Sequence, residues 1–232
     1  MCGRFGFDMP KQVLEETFGV VLNDAGPGAD YNITPGSMVL AVMLEQGHRV
    51  LRGLTWGLIP PWDRNAARGG FINARSETAF DKPSFRTAMG RKRCLVPASL
   101  FYEWQKTPGR KLPFAIALKK MEPMALAAIH AEHEAFGPTL AILTTAPNML
   151  LAPIHNRMPL ILPPEAHAAW LDPATPRTAL EPLLLPYPAS AMDIWPITSQ
   201  VNNPQAHGPE VAARLRAQPG LLEENETSKN NQ

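Results

Sequence analysis

Val13, Leu14 and Phe18 place apolar side chains along one face between Pro10 and Gly19. The pattern predicts a helix with Asp8 as N-cap, Pro10 in the first turn and Gly19 as the stop. Downstream the apolar runs shorten. Met38 to Leu44 reads as a strand, Gln46-Gly47 as a turn and Arg49 to Leu58 as the return of a hairpin. Leu95 to Ala98 leads into Phe101 to Trp104, and Thr107 to Lys111 is a turn. Strands are predicted over 113–118 and 124–130, around a Lys119–Pro123 turn, and over Thr139 to Thr145. Pro164 to Leu171 reads as a short helix with Trp170 on its apolar side, Thr178 to Leu184 as another, and Met192 to Thr198 as a late strand. The polar stretch from Glu223 to Gln232 is expected to be a disordered tail.

Composition fits many short elements. The 25 prolines are scattered along all 232 residues, which disfavours long helices. With 45% hydrophobic and 19% charged residues the chain is globular, and it can bury one large core or two small ones. Cys2 and Cys94 do not make a disulfide framework, and no Cys/His cluster has zinc spacing. No signal peptide precedes Cys2, and no apolar run reaches the roughly 18–20 residues of a membrane span. A soluble, reducing compartment is the expectation. Net charge is +1 but uneven. Residues 1–120 hold 17 Lys/Arg against 10 Asp/Glu, giving +7; residues 121–232 hold 5 against 11, giving −6. This predicts a basic face for an anionic partner, unless the charges mix in space.

Several polar clusters interrupt the apolar pattern. Trp56 and Trp62 flank a two-proline corner. Core packing is the preferred reading for Trp62, whereas Trp56, beside Gly57, is a candidate for stacking. Residues 64–70 form a basic, polar loop. Asn73, Arg75 and Glu77 alternate, so they share a face if the segment is a strand. Arg86, Arg91, Lys92 and Arg93 concentrate positive charge before Cys94. Glu103 lies among Phe101, Tyr102 and Trp104; burial would raise its pKa and make it a general acid, while a strand-edge Glu facing water is the commoner case. His155 and Arg157 alternate between Pro153 and Pro159, so an extended backbone would point them the same way.

The first residues carry the sharpest chemistry. If Met1 is removed, Cys2 bears an α-amine and a thiol, titrating near ~8 and ~8.5 when unperturbed. The pair can open a peptide by thiolate attack, or condense with an aldehyde and close a ring. A frayed terminus is the bland alternative.

Seven blocks in order resemble the SRAP family, the SOS-response-associated peptidase-like proteins. They are Met-Cys-Gly-Arg, Tyr-Asn-Ile-Thr-Pro, Trp-Gly-Leu-Ile-Pro, Ile-Asn-Ala-Arg-Ser-Glu-Thr, Arg-Cys-Leu-Val-Pro-Ala, Phe-Tyr-Glu-Trp and Ile-His-Asn-Arg-Met-Pro. The likeness spans residues 2 to about 205. Asn156 stands where the family commonly has Asp, and Ala128-Ile129-His130 replaces a segment that often holds an aromatic. The resemblance implies a single compact α+β domain over 1–222, with curved, largely antiparallel β-sheets, short peripheral helices and a positively charged groove. It implies catalytic roles for Cys2, Asn73, Glu103 and His155. Arg4, Arg75 and Arg157 would contact DNA phosphates, with Trp56 and Trp104 near the bases. The implied partner is single-stranded DNA with abasic sites, bound by a cytoplasmic monomer without metal or cofactor. The implied chemistry is a thiazolidine crosslink between Cys2 and the abasic aldehyde, with weak lyase activity and autoproteolytic loss of Met1 as further activities. An N-terminal-nucleophile amidohydrolase and a noncatalytic single-strand-binding module remain the rival readings.

Overall fold

The computed structural model describes residues 2–21, 28–64 and 69–215. The basic loop at 64–70 is described only at its ends, and the polar tail at 223–232 lies outside the described residues.

The chain opens with β1 (Phe5–Phe7), α1 (Lys11–Phe18) and β2 (Asp30–Ile33). Helix α1 buries Leu14 and Phe18, and Gly19 ends it at φ 64°, its N–H donating to the Glu15 carbonyl. Asp8 is not its cap; the flanking residue is Pro10, and Asp8 instead accepts a hydrogen bond from the Tyr31 hydroxyl of β2. The predicted hairpin forms as β3 (Met38–Glu45) and β4 (His48–Trp56), in continuous antiparallel register from Met38 opposite Thr55 to Glu45 opposite His48. Gln46 and Gly47 both take positive φ, the geometry that lets a two-residue turn match strand twist.

Next come β5 (Asn73–Arg75), α2 (Ser76–Ala79) and α3 (Arg86–Arg91). The segment is a strand only as far as Arg75, so Glu77 leaves on a helical turn rather than sharing a strand face with Asn73 and Arg75. Then follow β6 (Arg93–Ala98), β7 (Leu100–Thr107), β8 (Arg110–Leu118), β9 (Met124–His133) and β10 (Gly137–Thr145). The chain ends with β11 (Met158–Pro159), β12 (Ile161–Leu162), α4 (His167–Leu171), α5 (Arg177–Leu180) and β13 (Met192–Pro196). The helix predicted over 178–184 divides into α5 and a 3-10 turn at Glu181–Leu183, where Pro182 lacks the N–H a continuing helix needs.

Two sheets result. One has the order β13-β8-β7-β1-β2. In the other, β10-β4-β3-β6-β9 closes on itself because β9 pairs with β10, while β5, β11 and β12 extend it. The Lys119–Pro123 turn passes the chain between sheets, since β8 pairs with β7 and β13 while β9 pairs with β6 and β10. Most pairings are antiparallel; β10 pairs parallel with β4 and β5. The main core lies against both sheets. A second cluster, around Tyr102, Trp195, Val201 and Val211, covers the other face of the first sheet.

Two tryptophan assignments reverse. Trp56 is fully buried, packs at 5.3 Å from the Phe5 ring and donates from Nε1 to the Ile72 carbonyl at 2.8 Å. Trp62 is 63% exposed. Gly57 does permit close approach, but of the protein's own backbone: a Cβ there would stand 2.4 Å from the Gly69 carbonyl oxygen. The basic run before Cys94 is also not uniformly a surface feature. Arg93 is buried and donates to the carbonyls of Met89, Gly90, Trp170 and Asp172, capping the ends of α3 and α4.

Candidate active site

Strand register brings the N-terminus to Glu103. Phe5 pairs with Phe101, Gly6 with Leu100, and the Tyr102 N–H donates to the Arg4 carbonyl at 3.0 Å. Residues 2–4 therefore run beside residues 102–104. Along β7, Phe101 and Glu103 share one face and Tyr102 and Trp104 the other. Glu103 thus projects toward the main core, at the seam between the sheets, and is only 2% exposed.

Cys2 is fully buried. Burial, and then the charge of Glu103, push its thiol up to about 12, so sulfur is held as the neutral thiol at pH 7. Asn73, at the start of β5, donates from Nδ2 to the Cys2 carbonyl at 2.7 Å. The Oδ1 of the same amide is buried with no hydrogen-bond partner among the described residues. Such an acceptor suits an N–H donor arriving at Cys2. Trp56 supports this strand from behind through the neighbouring Ile72 carbonyl.

Burial raises Glu103 above the usual carboxylate range, and the N-terminal amine and then His155 oppose that rise. The His155 Nε2 lies 4.0 Å from Glu103 Oε2. Its loop is rigidly made: Asn148 Oδ1 accepts from the N–H groups of Leu150 and Leu151, and Gln105 of β7 donates to the Pro153 carbonyl. His155 Nδ1 sits 3.0 Å from the Arg157 N–H and 3.1 Å from the Arg157 carbonyl. That nitrogen keeps a partner whether or not it carries the proton, which suits a ring that passes protons at Nε2.

His155 and Arg157 do not point the same way, because the backbone bends around the imidazole. Arg157 turns to Glu77, with a bidentate pair at 2.6 and 2.9 Å, and to the Thr144 carbonyl. Arg4 is likewise committed: its Nη1 donates to Asn32 Oδ1 at 2.7 Å and to the Val201 carbonyl at 2.9 Å. Of the three arginines read as phosphate contacts, Arg75 is the exposed one. Trp104 is partly exposed, its Nε1 bonded to Asn202 Oδ1 at 2.9 Å. Trp56 cannot stack on a base, since both ring faces lie inside the core.

A cavity of about 490 Å³ opens beside this group, lined by Glu103, Trp104, Lys106, Lys111, His155 and Asn202. The sequence reading missed Lys106, Lys111 and Asn202. Lys106 had a signal, two residues beyond Trp104 on the same strand face. Asn202 had none, since it arrives from a distant 3-10 turn.

The model of the SOS response associated peptidase (SRAP) family matches residues 1–204. Abasic site processing protein YoqW of Bacillus subtilis (strain 168) is 38% identical, over 91% of this chain and 98% of that protein. Abasic site processing protein YedK of Escherichia coli (strain K12) is 32% identical, over 74% and 79%. Mouse abasic site processing protein HMCES is 28% identical, over 92% and 76%. A crystal structure of a protein from Bacteroides thetaiotaomicron has the same fold, with TM-score 0.82 at 24% identity over 93% of this chain and 100% of that one. With a family model matched along most of its length, this chain belongs to the SRAP family.

Proposed function

We propose that this protein processes abasic sites in single-stranded DNA by capturing the lesion covalently on Cys2, acting as a monomer. The observation that carries the reading is the linked set Asn73–Cys2–Glu103–His155, of which Glu103 and His155 line one cavity. The names of the relatives support the substrate class.

Removal of Met1 frees the Cys2 α-amine. The ring-opened abasic deoxyribose presents an aldehyde at C1′. The amine adds to that carbon, and the hydroxyl of the carbinolamine leaves as water with a proton from neutral Glu103. The iminium and the Glu103 carboxylate remain. The carboxylate then takes the thiol proton as sulfur adds to the same carbon. A neutral thiazolidine forms, Glu103 is again an acid, and one water has been lost overall. A thiol held up to about 12 needs a base at the moment of attack, and the carboxylate made in the preceding step supplies it. Both nucleophiles belong to one residue, so ring closure is intramolecular and gains high effective molarity. The free Asn73 Oδ1 orients the amine, and His155 passes a proton to the sugar O4′ as the ring opens. Arg75 grips a phosphate without reading sequence, and Trp104 offers a stacking edge.

Removal of Met1 is hydrolysis of the Met1–Cys2 bond, by this protein's own groups or by a host aminopeptidase. Intact mass of Glu103→Ala separates them: retained Met1 implicates Glu103. For the main reading, intact mass is measured before and after incubation with abasic single-stranded DNA. The expected adduct is the protein without Met1 plus the oligonucleotide less one water. Cys2→Ser keeps the amine but cannot form the thiazolidine, so β-elimination from its imine should cleave the strand. No adduct from the processed wild type, or an equally stable adduct from Cys2→Ala, overturns the proposal.

A further inference from the structure

The β7–β8 hairpin carries an unexplained electrostatic cost. Lys106 and Lys111 are directly opposite one another in its register. Like charges directly opposite across a strand pair are destabilising. From Gln105 to Met121 the sequence contains no acidic residue, and Arg110 adds a third positive charge beside the pair. Neither lysine ammonium forms a hydrogen bond or ion pair with another described residue. Both lysines are exposed, yet both line the cavity that holds Glu103 and His155.

The hairpin itself is well made. Thr107 pairs with Arg110, the Thr107 hydroxyl donates to the Arg110 carbonyl at 3.1 Å, and Pro108-Gly109 makes the turn with Gly109 at φ 76°. On the same strand, Gln105 ties to the Pro153 carbonyl and Trp104 to Asn202. The lysine pair is therefore presented on a rigid arm, at a fixed place beside the reacting group, with its charge uncompensated.

We propose that Lys106 and Lys111 form a two-point clamp for one phosphodiester of the substrate strand, next to the sugar that reacts with Cys2. The inference rests on the functional reading above and deepens it. An anion between the two ammoniums turns their repulsion into attraction. A phosphodiester offers two non-bridging oxygens, one for each lysine. Ammonium donors are point charges, so the clamp holds the backbone without reading a base. It supplies a fixed point on the strand beside the carboxyl–imidazole pair, so the aldehyde carbon is delivered rather than left to diffuse. Arg75 then holds the strand at a second place.

The test uses the full chain, with Lys106→Gln, Lys111→Gln and the double variant. Binding of an intact single-stranded oligonucleotide is followed by fluorescence anisotropy across salt. Each lost phosphate contact lowers the slope of log affinity against log salt by about 0.7 on single strands. Both lysines neutralise the same phosphodiester, so the double variant should lose about 0.7 from the slope, equivalent to about 5-fold weaker binding at 0.1 M salt than wild type, with the difference closing toward 1 M. Neutral methylphosphonates placed singly around the abasic site give the second readout. One position should weaken wild-type binding and leave the double variant indifferent. Inorganic phosphate should compete with the wild type only weakly, because a free ion lacks the rest of the strand.

Removal of a like-charge pair should leave the melting temperature of the double variant equal or higher. An unchanged salt slope, a methylphosphonate effect of equal size in wild type and variant, or a lowered melting temperature overturns the clamp. Failure of the parent reading is distinct: the processed wild type would then form no covalent adduct, whatever the lysines do.

Discussion

Replacing Glu103 with Gln keeps the shape of the side chain and removes its charge. Glu103 is 2% exposed, and burial is the main influence on its titration. The folded pKa lies above the usual 4.5, so between the two values the folded state binds more protons than the unfolded one. Wild-type stability therefore falls as pH rises through that window, by about 1.4 kcal/mol for each pH unit the window spans. An imidazolium at the 4.0 Å of His155 Nε2 returns about 1–4 kcal/mol, depending on the local dielectric. Desolvation of a buried carboxylate costs several kcal/mol and is the larger effect. At pH 8, where the carboxylate form is favoured more than at pH 5, Glu103→Gln should gain about 1–3 kcal/mol, or about 2–12 °C in melting temperature for a chain of this size. At pH 5 the gain should shrink. In the proposed chemistry the same change removes the proton donor for water loss, so adduct formation should slow by about 10²–10⁴-fold. Thermal melts at both pH values and quenched crosslinking on denaturing gels read the two effects. A variant less stable than wild type at pH 8, or one that crosslinks at the wild-type rate, refutes the reasoning. The combination of higher stability and lost chemistry is the signature of a carboxyl buried for function.

Three further outcomes test the supporting structure. Arg93→Met leaves four carbonyls without their guanidinium, and should cost about 3–5 kcal/mol, lowering the melting temperature by on the order of 10 °C. Gly57→Ala must take φ 147° with its Cβ 2.4 Å from the Gly69 oxygen, and should cost about 3 kcal/mol or more in denaturant unfolding. Trp56→Ala should cost about 3–5 kcal/mol, whereas Trp62→Ala should stay within about 0.5 kcal/mol in the same assay.

The local pattern of the chain determined a good deal. Gln46-Gly47 between two apolar runs is a hairpin by turn geometry alone, and Gly19 stops α1 because its positive φ suits a residue without a Cβ. The ordered blocks named the family and pointed to Cys2, Asn73, Glu103 and His155, which the fold brings together from β5, β7, the chain terminus and the loop before β11. What the sequence could not decide was direction. Trp56 and Trp62 carry the same ring a few positions apart, and only packing against Phe5 and Ile72 sends one inward. Arg93 reads like Arg91, but two helix ends converge on it and consume its donors. Arg157 alternates with His155 on paper, yet bidentate pairing with Glu77 turns it away. Lys106 and Lys111 are five residues apart, and only the hairpin register makes them a pair beside the site. Backbone preferences act over a few residues and are written locally, whereas burial and charge partnership depend on chain segments 28 to 197 residues away. These were decided only when the two sheets met.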